Sequence, residues 1–153
     1  MITGKVILLG IHNLLRWAIV ISAVFTLYRL YRGWLQKKPW ENIDQKAIMV
    51  FTIFLDTQLL IGLLLYFIFS DLVKAAFSNM AAAMGNQVLR FFTIEHTLLM
   101  IVAIVLSHIA GAVGKKDLPE NTKFKRSAAL ITLALIFLLA GIPWTSRPLL
   151  PSF

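Results

Sequence analysis

Residues 90–113 read RFFTIEHTLLMIVAIVLSHIAGAV, 24 residues in which Arg90, Glu95, His96 and His108 are the ionisable side chains. A helix rises about 1.5 Å per residue, and about 20 predominantly apolar residues cover the hydrocarbon of a bilayer. The stretch therefore predicts a membrane-crossing helix. Its apolar residues run without the apolar–polar alternation of a barrel strand, and lipid accepts only structures that satisfy their own backbone hydrogen bonds, so a helix is preferred to barrel strands.

Three more apolar stretches lie outside it, at approximately 5–30, 47–69 and 127–144. Each reaches or approaches the same spanning length, which makes the chain an all-α integral membrane four-helix bundle in one domain, residues 1–153. A hydrophobic fraction of 59% and a mean hydropathy of +0.80 are far above those of a soluble domain. Short connections predict antiparallel neighbours in up-down-up-down order, with the first and third helices running the same way. The second connection, 72–87, is rich in small and apolar residues and is expected as a short surface helix or a loosely ordered loop. The fourth helix, ending at Gly141-Ile142-Pro143-Trp144, reads as a packing wall with no chemistry of its own.

A formal charge of +8 raises nucleic acid as a partner, but the cations are confined to two loops. Arg29, Arg32, Lys37, Lys38 and Lys46 flank the first connection, and Lys115, Lys116, Lys123, Lys125 and Arg126 flank the third; the second has Lys74 and Arg90. By the positive-inside rule the first and third loops are cytoplasmic and both termini face the other side. The chain is thus expected in the inner (plasma) membrane as a multi-pass protein attracted to anionic headgroups rather than to nucleic acid. Arg16 interrupts the first apolar run and no small-residue cleavage site follows, so no removable signal peptide is expected. The chain contains no cysteine, which excludes disulfides, thiolate metal sites and covalent haem attachment through a Cys-x-x-Cys-His motif.

Two imidazoles stand out within the spans. His12 precedes Arg29 by 17 residues and His96 precedes Lys115 by 19, which sets both roughly 26 to 28 Å from the cytoplasmic edge. Paired neutral imidazoles at one level inside a bundle are suited to grip a haem iron from both sides. Arg16, one turn inward of His12 on the same face, is costly at that depth without an anionic partner. Haem propionates would serve, with Arg90 and Arg147 available at the outer helix ends, and Glu95 is the competing protein partner. The other readings of the histidine pair are structural hydrogen bonding, a non-haem metal and a proton path. His108 and Asp56 fall roughly 10 and 15 Å from the cytoplasmic edge and are expected to meet, as a possible second site in which the carboxylate orients the imidazole for proton transfer to a quinone or haem. The plainer role for His108 is to reach interfacial water.

The segments Ile11-His12-Asn13-Leu14-Leu15-Arg16-Trp17, Gln58-Leu59-Leu60-Ile61-Gly62-Leu63, Arg90-Phe91-Phe92-Thr93-Ile94-Glu95-His96 and Ile142-Pro143-Trp144 span nearly the whole chain. On them the chain resembles the small four-helix cytochrome b-like membrane proteins of bacteria, of the Bacteroidetes type. The resemblance implies a b-type haem without fixing its use. It also implies that a second haem, in relatives with histidine at the position of Asp56, is lacking here. The leading expectation is a haem b protein for single-electron transport, within or beside a larger respiratory complex, with His12 and His96 as axial ligands and Arg16 and Arg90 as charge partners. Two alternatives differ in class. One is a haem-dependent membrane oxidoreductase resembling the small protoporphyrinogen oxidases, on the early histidine, Trp17 and the Tyr28-Arg29-Leu30-Tyr31 run. The other is a cofactor-free accessory subunit of a larger membrane assembly.

Overall fold

The computed structural model describes residues 2–144, all helical apart from short connections. Arg147 lies outside the described residues. Four helices are long and apolar enough to cross a membrane, over Thr3–Leu35, Asn42–Phe69, Gln87–Lys115 and Glu120–Gly141. Their cores are α1 (Ile2–Leu35), α2 (Asn42–Leu64), α6 (His96–Lys115) and α7 (Glu120–Gly141). The fourth span stops at Gly141, before the expected residue 144, because Pro143 has no N–H to continue the ladder.

α1 packs against α2 and α7, and α6 packs against the same two helices, so α1 and α6 face each other across the middle. Thr26 Oγ1 donates to Ala47 O at one end of the α1–α2 pair, and Gln58 Nε2 donates to His12 O near the other. The seams hold small residues. Ala23, Ala103, Ala110, Ala128 and Ala134 are fully buried, which brings backbones close enough for dispersion to act where lipid removes the hydrophobic drive between helices. Phe51, Phe124, Leu30 and Ile131 fill the remaining interior. Large apolar side chains such as Leu14, Ile21, Leu60 and Ile136 point outward, an arrangement that water would penalise and hydrocarbon does not.

The second connection forms three short helices, α3 (Asp71–Ser78), α4 (Met80–Gly85) and α5 (Gln87–Arg90). Ser70, Asn79 and Asn86 each cap the next one, their side-chain oxygens accepting from Val73 N, Ala82 N, and Val88 N with Leu89 N. These caps are why a run of small residues is helical here. Lys5 Nζ reaches Asp71 Oδ2 at 2.7 Å and ties α3 to the start of α1. That ammonium holds the Asp71 carboxyl below its ordinary range. A carboxyl with a depressed folded value stabilises the tie above its unfolded value of about 3.9 and ceases to do so as pH falls through the lower folded one. Amide exchange across α3 is therefore expected to stay slow at neutral pH and to accelerate below about pH 4, an effect that Asp71→Asn should mimic at pH 7.

Candidate site between two imidazoles

Each half of the central pair is aimed by local backbone chemistry. The turn before His96, Phe91–Glu95, is π-helical. A π turn inserts an extra residue per turn and re-aims whatever follows it, which is why such turns recur at functional positions. A second π turn, Leu65–Phe69, ends the α2 span. The two are joined by the Tyr66 hydroxyl, which donates to Thr93 O at 3.0 Å.

His96 is held from the end of α7. Pro143 stops that helix, and the last carbonyls of a helix have no partner within it. One of them, Gly141 O, accepts from His96 Nδ1 at 2.7 Å. A side chain at 141 would meet the end of the Met100 side chain and press on Leu99 Cβ at 3.3 Å, so those two would have to give way. The bond assigns the proton to Nδ1 and leaves the Nε2 lone pair for another partner. α7 is thus more than the packing wall expected of it, since its terminus orients one imidazole.

His12 stands opposite. The two ring centres are 6.4 Å apart with planes inclined at 59°. Gln58 fixes the α1 backbone here through its bond to His12 O, at 2.9 Å, and Gly62 lies beside the ring, where an added Cβ would sit 3.5 Å from His12 Cε1. Among the described residues His12 Nδ1 and Gln58 Oε1 are buried without a hydrogen-bond partner. Buried polar atoms of this kind are uncommon and call for a ligand or water. Phe91 and Phe92 flank His96 at 6.0 and 6.5 Å. A cavity of about 70 Å³ lies against both imidazoles, walled by Leu59, Gly62, Leu63, Tyr66 and Met100.

The charged residues divide. Arg16 is buried, and its guanidinium lies 5.6 Å from the Trp17 ring centre. Glu95, the competitor for Arg16, is bound by Arg90 at 2.6 Å, and Arg90 also donates to Met84 O. Arg90 is therefore engaged within the chain rather than held out toward an incoming anion. Asp56 and His108 are brought together, His108 Nε2 lying 3.0 Å from Asp56 Oδ1, on the outward side of α2 and α6 with side-chain exposures of 45% and 57%. Gln58, Gly62, Gly141 and the π turn were not marked as site features by sequence reasoning. Gln58 inside an apolar run and Pro143 just after Gly141 were the available signals; nothing in the letters announces the π turn.

Among the described residues no group of three or more His, Asp or Glu gathers to hold a metal ion. No family model, curated protein or solved structure matches the chain.

Proposed function

We infer that the chain is a haem b-binding membrane protein that carries single electrons, and that His12 and His96 would hold the haem iron. The observation that carries this reading is the spacing of the two rings. An imidazole nitrogen binds a transition metal at about 2.0 Å, and the ring adds roughly another 1 Å on each side, so two rings clasping one ion have centres about 6 Å apart. The measured 6.4 Å agrees with that separation. Two protein donors are too few for a bare ion, which usually takes three or four; they suit an iron whose equatorial positions a macrocycle already fills. The Nδ1–H bond to Gly141 O is the support that metal-binding histidines usually have, fixing the tautomer and raising the basicity of Nε2.

When bound, haem supplies a one-electron couple, and two histidines leave its iron no open position for oxygen activation. The chain's own contributions are orientation, dryness and charge. The 70 Å³ cavity is smaller than a porphyrin, so Leu59, Leu63 and Met100 would have to turn aside to admit one beside Gly62. Arg16 and Arg90 would supply positive charge for propionates only by exchanging contacts they make within the chain. The pairings of Thr26 with Ala47 and of His12 with Gln58 support antiparallel α1 and α2, the first step of an up-down-up-down order. The loop cations support termini on the non-cytoplasmic side of the inner membrane. In that orientation the pair lies in the outer leaflet, where its electron partner is a quinone or a neighbouring subunit of a respiratory complex. This is the arrangement implied by the resemblance to cytochrome b-like proteins.

Purification after expression with haem supplementation is expected to give a Soret band and the sharp visible bands of reduced low-spin haem, at about one haem per chain. Colourless protein that stays colourless on titration with hemin would remove the proposal.

A further inference from the structure

Arg32 is an exposed cation near the basic end of α1. The Thr3–Leu35 span has 33 residues, about 50 Å at 1.5 Å per residue, against roughly 30 Å of hydrocarbon. Its last turns therefore stand among lipid headgroups. The carboxylates nearest in sequence, Glu41 and Asp44, are both bound by Arg29. Among the described residues Arg32 pairs with no carboxylate; its guanidinium lies 5.9 Å from the Tyr28 ring centre, with Nη1 at 3.5 Å from the Tyr28 hydroxyl. That one long contact leaves most of its five N–H donors for an anion. An arginine in a last turn can serve simply to offset the helix dipole. The surface beside this one gives it more to do.

An open hollow of about 700 Å³ lies on the outer side of α1, walled by Val24, Leu27, Tyr28, Tyr31, Arg32 and Gln36. These residues recur at helical spacing and share one side of α1 over about 18 Å. The wall is graded along the helix. Val24 and Leu27, toward the middle of the membrane, are apolar, whereas Tyr28, Tyr31, Arg32 and Gln36 present hydroxyl, guanidinium and amide groups toward its edge. Tyr31 is fixed by the contact of its hydroxyl with Thr132 Oγ1 at 2.9 Å, and its ring centre is 6.0 Å from that of Trp34. A second cation, Lys125 Nζ, lies 6.0 Å from the Trp34 ring centre. A protein occupant would have to bring a carboxylate to this depth; a bilayer supplies phosphodiesters there, each above a chain that runs alongside the helix. The planar fork of arginine matches phosphate oxygens bidentately. Charge then chooses between lipids. A zwitterionic head carries its own cation beside the phosphate, which Arg32 and Lys125 repel, and an anionic head does not.

We propose that this side of α1 is a binding site for an anionic phospholipid, with the phosphodiester on Arg32 and one acyl chain along Val24 and Leu27. Arg32 is 20 residues along α1 from His12, about 30 Å, so the site stands or falls independently of haem. The test is native mass spectrometry of the full chain titrated with phosphatidylglycerol or with phosphatidylcholine of matched chains. Phosphatidylglycerol is expected to bind about tenfold more tightly, the yield of one hydrogen bond to a charged group. Arg32→Gln, at an exposed position, should erase that preference, and Lys116→Gln, in the other basic loop, should leave it intact. A photoactivatable phosphatidylglycerol should label the α1 peptide covering 24–36. No preference in the wild-type chain, or label confined to other helices, overturns the proposal whether or not the variants fold. Equal losses in Arg32→Gln and Lys116→Gln do the same, since they would show that overall charge and not this site selects the lipid. So does a wild-type dimer that Arg32→Gln converts to monomers, which would make this side of α1 an interface between copies.

Discussion

His12→Ala and His96→Ala should each abolish the low-spin spectrum and weaken haem binding by more than about 100-fold, the upper end of what loss of a group merely supporting a metal ligand costs. On the proposed reading both variants lose one of the two donors that would hold the haem, but they differ in what remains. His96→Ala also leaves Gly141 O without its donor at the end of α7, and an unsatisfied buried carbonyl costs about 1–3 kcal/mol. His12→Ala removes a ring whose Nδ1 has no hydrogen bond to lose, so the apoprotein should be as stable as the parent or slightly less so. Free imidazole separates ligation from structure. Added at millimolar concentration, it is expected to enter the space vacated by His12 and restore the low-spin bands, whereas a purely structural histidine would give no such recovery. Retention of the parent spectrum in either variant would show that the ring in question is not a ligand.

The parts of this molecule that were legible in its letters are those governed by bulk physics. Unbroken apolar runs between basic loops specify four spans, because hydrocarbon demands length and continuity and little else. Counting residues from cationic ends was enough to set His12 level with His96, and Asp56 within side-chain reach of His108, since helical rise is constant. What the counting left open was direction. Whether His96 points inward depends on the π turn before it, and a π turn is a compromise among packing contacts that has no local residue signature. The carbonyl that holds His96 was hidden for a related reason. It belongs to the backbone of Gly141, 45 residues away, and backbone groups have no letter in the sequence. Small-residue faces, by contrast, were visible but ambiguous. Alanine fits a cofactor edge or close packing, and here Ala23, Ala103 and Ala110 are fully buried between helices.

The end of the bundle opposite the imidazoles carries a second large expected effect, one of stability rather than colour. Asp44 is 1% exposed, and Arg29 grips it, Nε and Nη2 lying 2.9 and 2.8 Å from Oδ1. The other carboxylate oxygen accepts from Glu41 N at 2.9 Å, which begins α2 with a capping box. Arg29 thus joins the last turns of α1 to the first turn of α2, and without it Asp44 is a buried charge with only a backbone partner. Breaking a buried pair from one side costs about 3–5 kcal/mol. The Arg29 side chain is 20% exposed and the cap bond survives its removal, so Arg29→Leu is expected near the lower figure, about 3 kcal/mol, by equilibrium unfolding in mixed micelles. The Glu41 contact is 58% exposed, so Glu41→Gln should cost less than about 1 kcal/mol. Combining Arg29→Leu with Asp44→Asn removes the stranded charge and keeps a cap acceptor, so the double variant is expected to be more stable than Arg29→Leu alone. Additive losses in that cycle, or an Arg29→Leu protein within about 0.5 kcal/mol of the parent, would mean that water at the interface, and not the guanidinium, neutralises Asp44.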